Sequence, residues 1–148
     1  MTPFEMIRAQ LSQAVPFANY VGVEVVEVGD GTGVTALDQR NETSNHIQSQ
    51  HAGAMFTLGE AASGAALAGA FGPMIFQARP VASGAQISYV KIAKGRLEAH
   101  AKTERPGAEL VKELEDAGKV AFDITVDIRD AAGDTVVTMV VGWHVRKG

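Results

Sequence analysis

The chain has 148 residues, 46% of them hydrophobic, and a formal net charge of −4. That length suits one domain over residues 1–148, with enough apolar content to bury an ordinary core. With no cysteine, disulfides, thiolate metal sites and cysteine nucleophiles are excluded, and the mixed, net acidic charge excludes a basic footprint for nucleic acid.

The first residues, MTPFEMIRAQ, lack the positive region and apolar core of a signal peptide. Thr2-Pro3-Phe4-Glu5 is a capping box with proline at the first helical position. It predicts a short helix from Pro3 to about Ala14, stopped by Pro16. VGVEVVEVGD (21–30) and GVTALD (33–38) are rich in β-branched residues and read as two strands. Gly29, Gly31 and Gly33 form a G-x-G-x-G string that could be taken for a phosphate loop. A strand follows it rather than a helix, so it reads as a hairpin turn.

Residues 39–50, QRNETSNHIQSQ, are polar and show neither helical nor strand period. A loop of this length tends to carry function rather than merely connect. It leads into an Ala/Gly-rich helix over 51–70, ended by Phe71-Gly72-Pro73. Glu60 is the only acidic residue between Thr43 and Leu97 and interrupts the weakly polar run 52–76. A membrane span is not expected there, because the rest of the chain supplies packing partners. A soluble cytoplasmic protein is the simplest expectation.

Four strands are predicted after Pro80, at 85–93, 96–103, 119–130 and 135–146. In the second, Leu97, Ala99 and Ala101 face one way while Glu98, His100 and Lys102 face the other. In the third, Val120, Phe122, Ile124, Val126 and Ile128 point inward. Between them AELVKELEDAG (108–118) predicts a short surface helix. Consecutive hairpins would make the four strands an antiparallel meander. The implied class is α+β, one long helix wrapped by a mostly antiparallel curved sheet. The eight alanines and four glycines of residues 51–70 would let that sheet approach the helix backbone.

Nine residues separate His51 from Glu60, about 900° of rotation and ~13.5 Å of rise. The two therefore point to opposite faces and cannot meet within one chain. Thr57, Glu60, Ser63 and Gly64 share one face, while Ala54, Met55, Leu58, Ala62 and Ala65 form a core stripe. A two-fold dimer would bring the helix start of one subunit toward Glu60 of the other. Unpaired N–H groups at a helix start suit a developing oxyanion, and a carboxylate opposite them could serve as base or nucleophile.

H-A-G-A-M-F-T-L-G-E (51–60) closely resembles the His-Gly-Gly-x-x-x-x-Leu-x-Asp/Glu motif of hotdog-fold acyl-CoA thioesterases, especially the phenylacetyl-CoA thioesterase-like branch. The leading helix, the loop and Q-I-S-Y-V-K-I-A-K-G (86–95) extend the resemblance over nearly the whole chain. It implies a hotdog fold hydrolysing an acyl- or aryl-acyl-CoA without a cofactor, as a homodimer or dimer of dimers with its site between subunits. It implies Glu60 as the catalytic carboxylate, the amide of Ala52 as the carbonyl-polarising donor, and Asn45 as the group positioning water or thioester. Ala52 departs from the motif's first glycine, a change whose methyl group would narrow the carbonyl pocket while leaving its N–H in place. A serine used by some relatives would be Ser83 or Ser88, depending on a strand register that one residue reverses.

A structural Glu60 would need a partner, and none lies one helical turn away. His51 reads as a helix-start residue holding the loop, with a direct acid–base role as the alternative. Asn45 could equally cap a turn. Gly53 and Ser63 are candidate substrate contacts, and Lys91, Lys94 and Arg96 could meet the phosphates of coenzyme A or simply guard a sheet edge. His46, His100 and His144 are expected on loop and strand surfaces, with no metal site at ligand spacing. Ser88-x-x-Lys91 matches a β-lactamase nucleophile motif by chance, since it sits in a strand without partner motifs. Hydratases on the same fold usually carry other motifs, such as a histidine soon after Asp-x-Asn-Pro, which DQRNETSNH does not match, and a non-catalytic acyl-CoA or lipid-binding module is the other alternative. Phe56, Phe71 and Phe76 suggest an apolar acyl pocket.

Overall fold

Helix α1 (Pro3–Ala14) starts as its capping box predicts. The Thr2 hydroxyl accepts from the Glu5 N–H at 3.1 Å and the Glu5 carboxylate accepts from the Thr2 N–H at 3.0 Å, in a computed structural model that describes residues 1–148. Pro16, predicted as a stop, instead opens a second helix, α2 (Pro16–Val21). A residue before proline is pushed out of the helical region. Val15, at φ −116° and ψ 97°, therefore makes a bend between two helices.

Strands β1 (Glu24–Gly29) and β2 (Thr32–Leu37) form the expected hairpin, turning at Gly31 with φ +72°. The first strand begins later than predicted because Val21 and Gly22 finish α2. The polar loop holds one 3-10 turn at Asn41–Thr43, and then α3 runs over Ala52–Phe71. After a 3-10 segment come β3 (Arg79–Tyr89), β4 (Leu97–Thr103), α4 (Gly107–Ala117), β5 (Lys119–Arg129) and β6 (Thr135–Arg146). Helix α4 is only half a surface helix, since Leu110 and Leu114 are fully buried.

All six strands pair antiparallel in the order β1-β2-β4-β5-β6-β3. The sheet curves around α3 as expected, but the closing strands are not a simple meander. Only β4-β5-β6 are hairpin neighbours, and β3 pairs with β6 at the far edge. Strand β3 also begins earlier than predicted and ends at Tyr89. Pro80 is admitted because this is an edge strand, where a missing N–H costs no ladder bond. Residues 90–96 carry the chain back across the sheet to β4. They can reach ~23 Å or more, against three strand spacings of ~4.8 Å. Local composition cannot reveal such a crossover.

The alternation predicted for β4 and β5 is found. Leu97, Ala99, Ala101, Val120, Phe122, Ile124, Val126 and Ile128 are all buried. The small residues of α3 do what their size suggests. A Cβ on Gly33 would fall 2.6 Å from Ala65 Cβ and 2.7 Å from the Ala62 carbonyl oxygen. A Cβ on Gly69 would collide with the Gly29 carbonyl. Gly69→Ala should therefore destabilise the fold by ~3 kcal/mol, the upper end of ordinary overpacking, read as a lower urea midpoint at an unchanged slope. No helix is long and apolar enough to cross a membrane.

Candidate active site

Helix α3 begins at an exposed helix start built by the preceding loop. His51 is the N-cap, its Nδ1 accepting from the Gly53 N–H at 2.8 Å. This is the loop-holding role read from its position. Its own N–H donates to the Thr43 carbonyl at 2.8 Å. The first helical residue, Ala52, has an N–H with no acceptor in the chain. An unpaired first-turn donor is what a helix start offers to an anion or carbonyl.

Asn45 organises the loop. Its Oδ1 accepts from the Ile47 and Ser49 N–H groups, both at 3.0 Å, and its Nδ2 donates to Ser49 Oγ at 2.8 Å. These bonds occupy the side chain locally, so its contribution is to shape the loop ahead of Ala52. Gln50 ties the same loop to the crossover. Its N–H donates to Ala93 at 2.8 Å and its Nε2 to the Gly95 carbonyl at 3.1 Å.

Tyr89 was missed by sequence reasoning. Its hydroxyl donates to the Ala52 carbonyl at 3.2 Å, bracing the first turn of α3. Finding it requires the β3–β6 register, in which Tyr89 opposes Val137 and Ser88 opposes Thr138. Opposed residues share a face, so Tyr89 and Ile87 lie on the helix side and Ser88 on the other. Ser83 sits at the bulge between Ala82 and Gly84, its hydroxyl donating to the Gly142 carbonyl at 3.2 Å.

Around the helix start lie two open clefts. One, about 350 Å³, is lined by Asn45, Ala52, Met55, Tyr89 and Lys91. The other, about 390 Å³, is lined by Arg40, His51, Gly53 and Thr57 with Phe17 and Tyr20 of α2. The predicted residues at the helix start are thus split between two sides of the helix. Glu60 belongs to neither cleft. It is half-buried, eight residues beyond Ala52 and so ~12 Å up the helix, beside a third, largely apolar cavity. Its carboxylate has no hydrogen-bond or ion-pair partner in the chain: the hydroxyl beside it, that of Ser63, donates to the Glu60 backbone carbonyl at 2.6 Å.

Other expectations need correcting. Ser63 is fully buried and accepts from the Trp143 indole N–H at 3.0 Å, so it supports the Glu60 turn rather than touching a ligand. Ser63→Ala should cost about 1–2 kcal/mol by leaving that indole N–H without an acceptor, measurable by urea denaturation. Lys91 is paired with Asp134 at 2.8 Å, and Arg96 with Glu24 and Asp38, both at 2.9 Å. Hydrogen bonds to these carboxylates hold both cations above their usual pKa. Their charge is already met, and of the three cations proposed for phosphate only Lys94 has no ion-pair partner. The phenylalanines do not line the Glu60 cavity either. Phe71 packs on Phe122 with ring centres 5.9 Å apart, and Phe76 lies in the 3-10 segment.

The fold is shared with known proteins. A family profile described as a domain of unknown function (DUF4442) matches residues 5–145. No curated protein matches the chain significantly. PA5026 of Pseudomonas aeruginosa, named a probable thioesterase, superposes with a TM-score of 0.82 at 22% identity, over 97% of this chain and 95% of that one. The E. coli PaaI protein from the phenylacetic acid degradation operon gives 0.75 at 19% identity, over 97% and 93%. A hypothetical thioesterase of Streptococcus pneumoniae, solved with coenzyme A, gives 0.68 at 19% identity, over 90% and 98%. Such identities speak to architecture, and the architecture is the one the 51–60 motif implied. A profile match over nearly the full length makes the chain a member of the DUF4442 family, and a helix wrapped by this strand order gives it the hotdog fold.

Proposed function

We propose that the protein is a thioester hydrolase acting on an acyl- or aryl-acyl-CoA, as a homodimer or dimer of dimers whose site is shared between subunits. The observation that carries this is a pair of unsatisfied groups on one helix: the half-buried, partnerless carboxylate of Glu60 and the acceptorless N–H of Ala52. They are too far apart to serve one carbonyl within a chain, and two-fold pairing of antiparallel helices would bring each to the other's partner. Strand β3 favours a partner copy, being an exposed edge of eleven residues with Val81 and Tyr89 open to solvent. The coenzyme A bound by the Streptococcus protein of the same fold supports the leaving group.

In this reading Glu60 takes a proton from water, which attacks the thioester carbonyl. The Ala52 N–H of the other subunit receives the oxyanion. Collapse expels the thiolate of coenzyme A, which takes the proton from Glu60, leaving the free acid. A direct attack by Glu60 through an anhydride uses the same geometry. Asn45 and Tyr89 act by holding the Ala52 turn, and His51 by capping it. Gly53 and Lys94 are left as substrate contacts.

The test is thiol release from short, medium and long-chain and aryl-acetyl CoA esters. Release from none of them would remove the hydrolase reading, and tight binding of an ester without turnover would identify a binding module instead. Mixing two impaired variants, Glu60→Gln and Ala52→Pro, tests the shared site. Subunit exchange should restore activity that neither has alone, and no recovery despite exchange would place both groups in one chain.

A further inference from the structure

Three glycines lie in the body of α3, and they are not alike. At Gly59 a Cβ would come 2.6 Å from Met139 Sδ, and at Gly69 it would strike the Gly29 carbonyl. Those two are pressed upon by neighbours. At Gly64 the nearest atom is Trp143 Cζ2 at 4.0 Å, ordinary contact distance. Glycine inside a helix is destabilising relative to alanine, and at Gly64 no close packing demands it. The omitted side chain leaves space.

That space belongs to the cavity beside Glu60. Leu11 and Val15 close it from α1 and the bend, Val23 from just ahead of β1, Val25 from β1, and Trp143 from β6. Glu60 is the only charged residue on its wall. The Trp143 N–H is taken by Ser63, so the indole contributes its hydrocarbon surface. Glu60 and Gly64 are one turn apart on the same helix face. A carbonyl carbon held at Glu60 would thus send its substituent past Gly64 toward Trp143.

We propose that this cavity receives the acyl group of the substrate and that the missing side chain at Gly64 sets the length it accepts. The inference rests on the hydrolase reading above and adds the class of acyl group. The cavity is small, about 80 Å³ against the several hundred Å³ of sites that enclose a drug-sized ligand, and it is largely apolar, so the acyl substituent it takes is apolar and of no more than medium size. Neither coenzyme A nor a long chain fits such a volume.

The chain has a single tryptophan, so Trp143 emission reports on this cavity without requiring turnover. The experiment compares wild type, Gly64→Ala and Gly64→Leu in two ways. Thiol release is measured across straight-chain acyl-CoA esters of two to sixteen carbons and phenylacetyl-CoA, and emission is titrated with octanoate and phenylacetate. Wild type should prefer esters of medium size. Gly64→Leu should lose at least tenfold more in kcat/KM on them than on acetyl-CoA, and Gly64→Ala, whose methyl has room, should shift the optimum less. Emission should respond to the acids in wild type and not in Gly64→Leu. Unchanged length preference in a folded Gly64→Leu protein, or emission indifferent to both acids in wild type, would overturn the assignment even if thiol release persists. Emission that responds without any thiol release would keep the cavity's role in binding and remove hydrolysis.

Discussion

Glu60→Gln is expected to lower kcat/KM by about two to four orders of magnitude on every ester the protein hydrolyses, the usual contribution of a positioned general base. Glutamine keeps the size of the side chain and removes its capacity to take a proton. The fold should hardly notice. The Glu60 carboxylate makes no hydrogen bond or ion pair in the chain, and the turn around it is held by backbone and Ser63. Urea midpoints within experimental error of each other, together with a collapsed rate, would mark the carboxylate as chemical rather than structural. Wild-type turnover in Glu60→Gln would sink the mechanism.

Ala52→Pro is expected to cost about 10²–10³ in kcat, the range for losing one oxyanion donor. A backbone amide cannot be deleted by trimming a side chain, but here proline can delete it. Ala52 is the first residue of α3, the position where proline is tolerated because its missing N–H has no helical acceptor. The preceding residue must be extended, and His51 already is, at φ −69° and ψ 141°. Gly53 N–H still has His51 Nδ1 as its acceptor. Helix content and urea midpoint should therefore survive while the rate falls. A folded Ala52→Pro protein with full activity would show that this N–H does not receive the oxyanion.

Much of this was legible along the chain. Thr2, Pro3 and Glu5 announce α1 because capping chemistry is local. The inward alternation of β4 and β5 announces a sheet with one covered face. The spacing of His51 and Glu60 along one helix already says that they cannot meet within it. What failed did so for physical reasons. Pro16 was read as a stop because the bias it imposes on Val15 is the same whether the chain ends a helix or bends into another. Lys91 and Arg96 looked free because their acidic partners lie up to 72 residues away in sequence. Tyr89 gave no signal because its one relevant bond depends on strand register.

The sequence by itself determined where the capped helix α1 and the long helix begin, the inward alternation of β4 and β5, and which carboxylate stands alone on the long helix, since these follow from short-range sterics, capping and periodicity. Tertiary structure decided the rest. It placed β3 beside β6, sent Ser88 to the outer face, committed Ser63 to Trp143, and put the apolar cavity of α1, α2 and β1 next to Glu60. Each depends on contacts between residues far apart in the chain, and neither a period nor a motif encodes which distant partner wins.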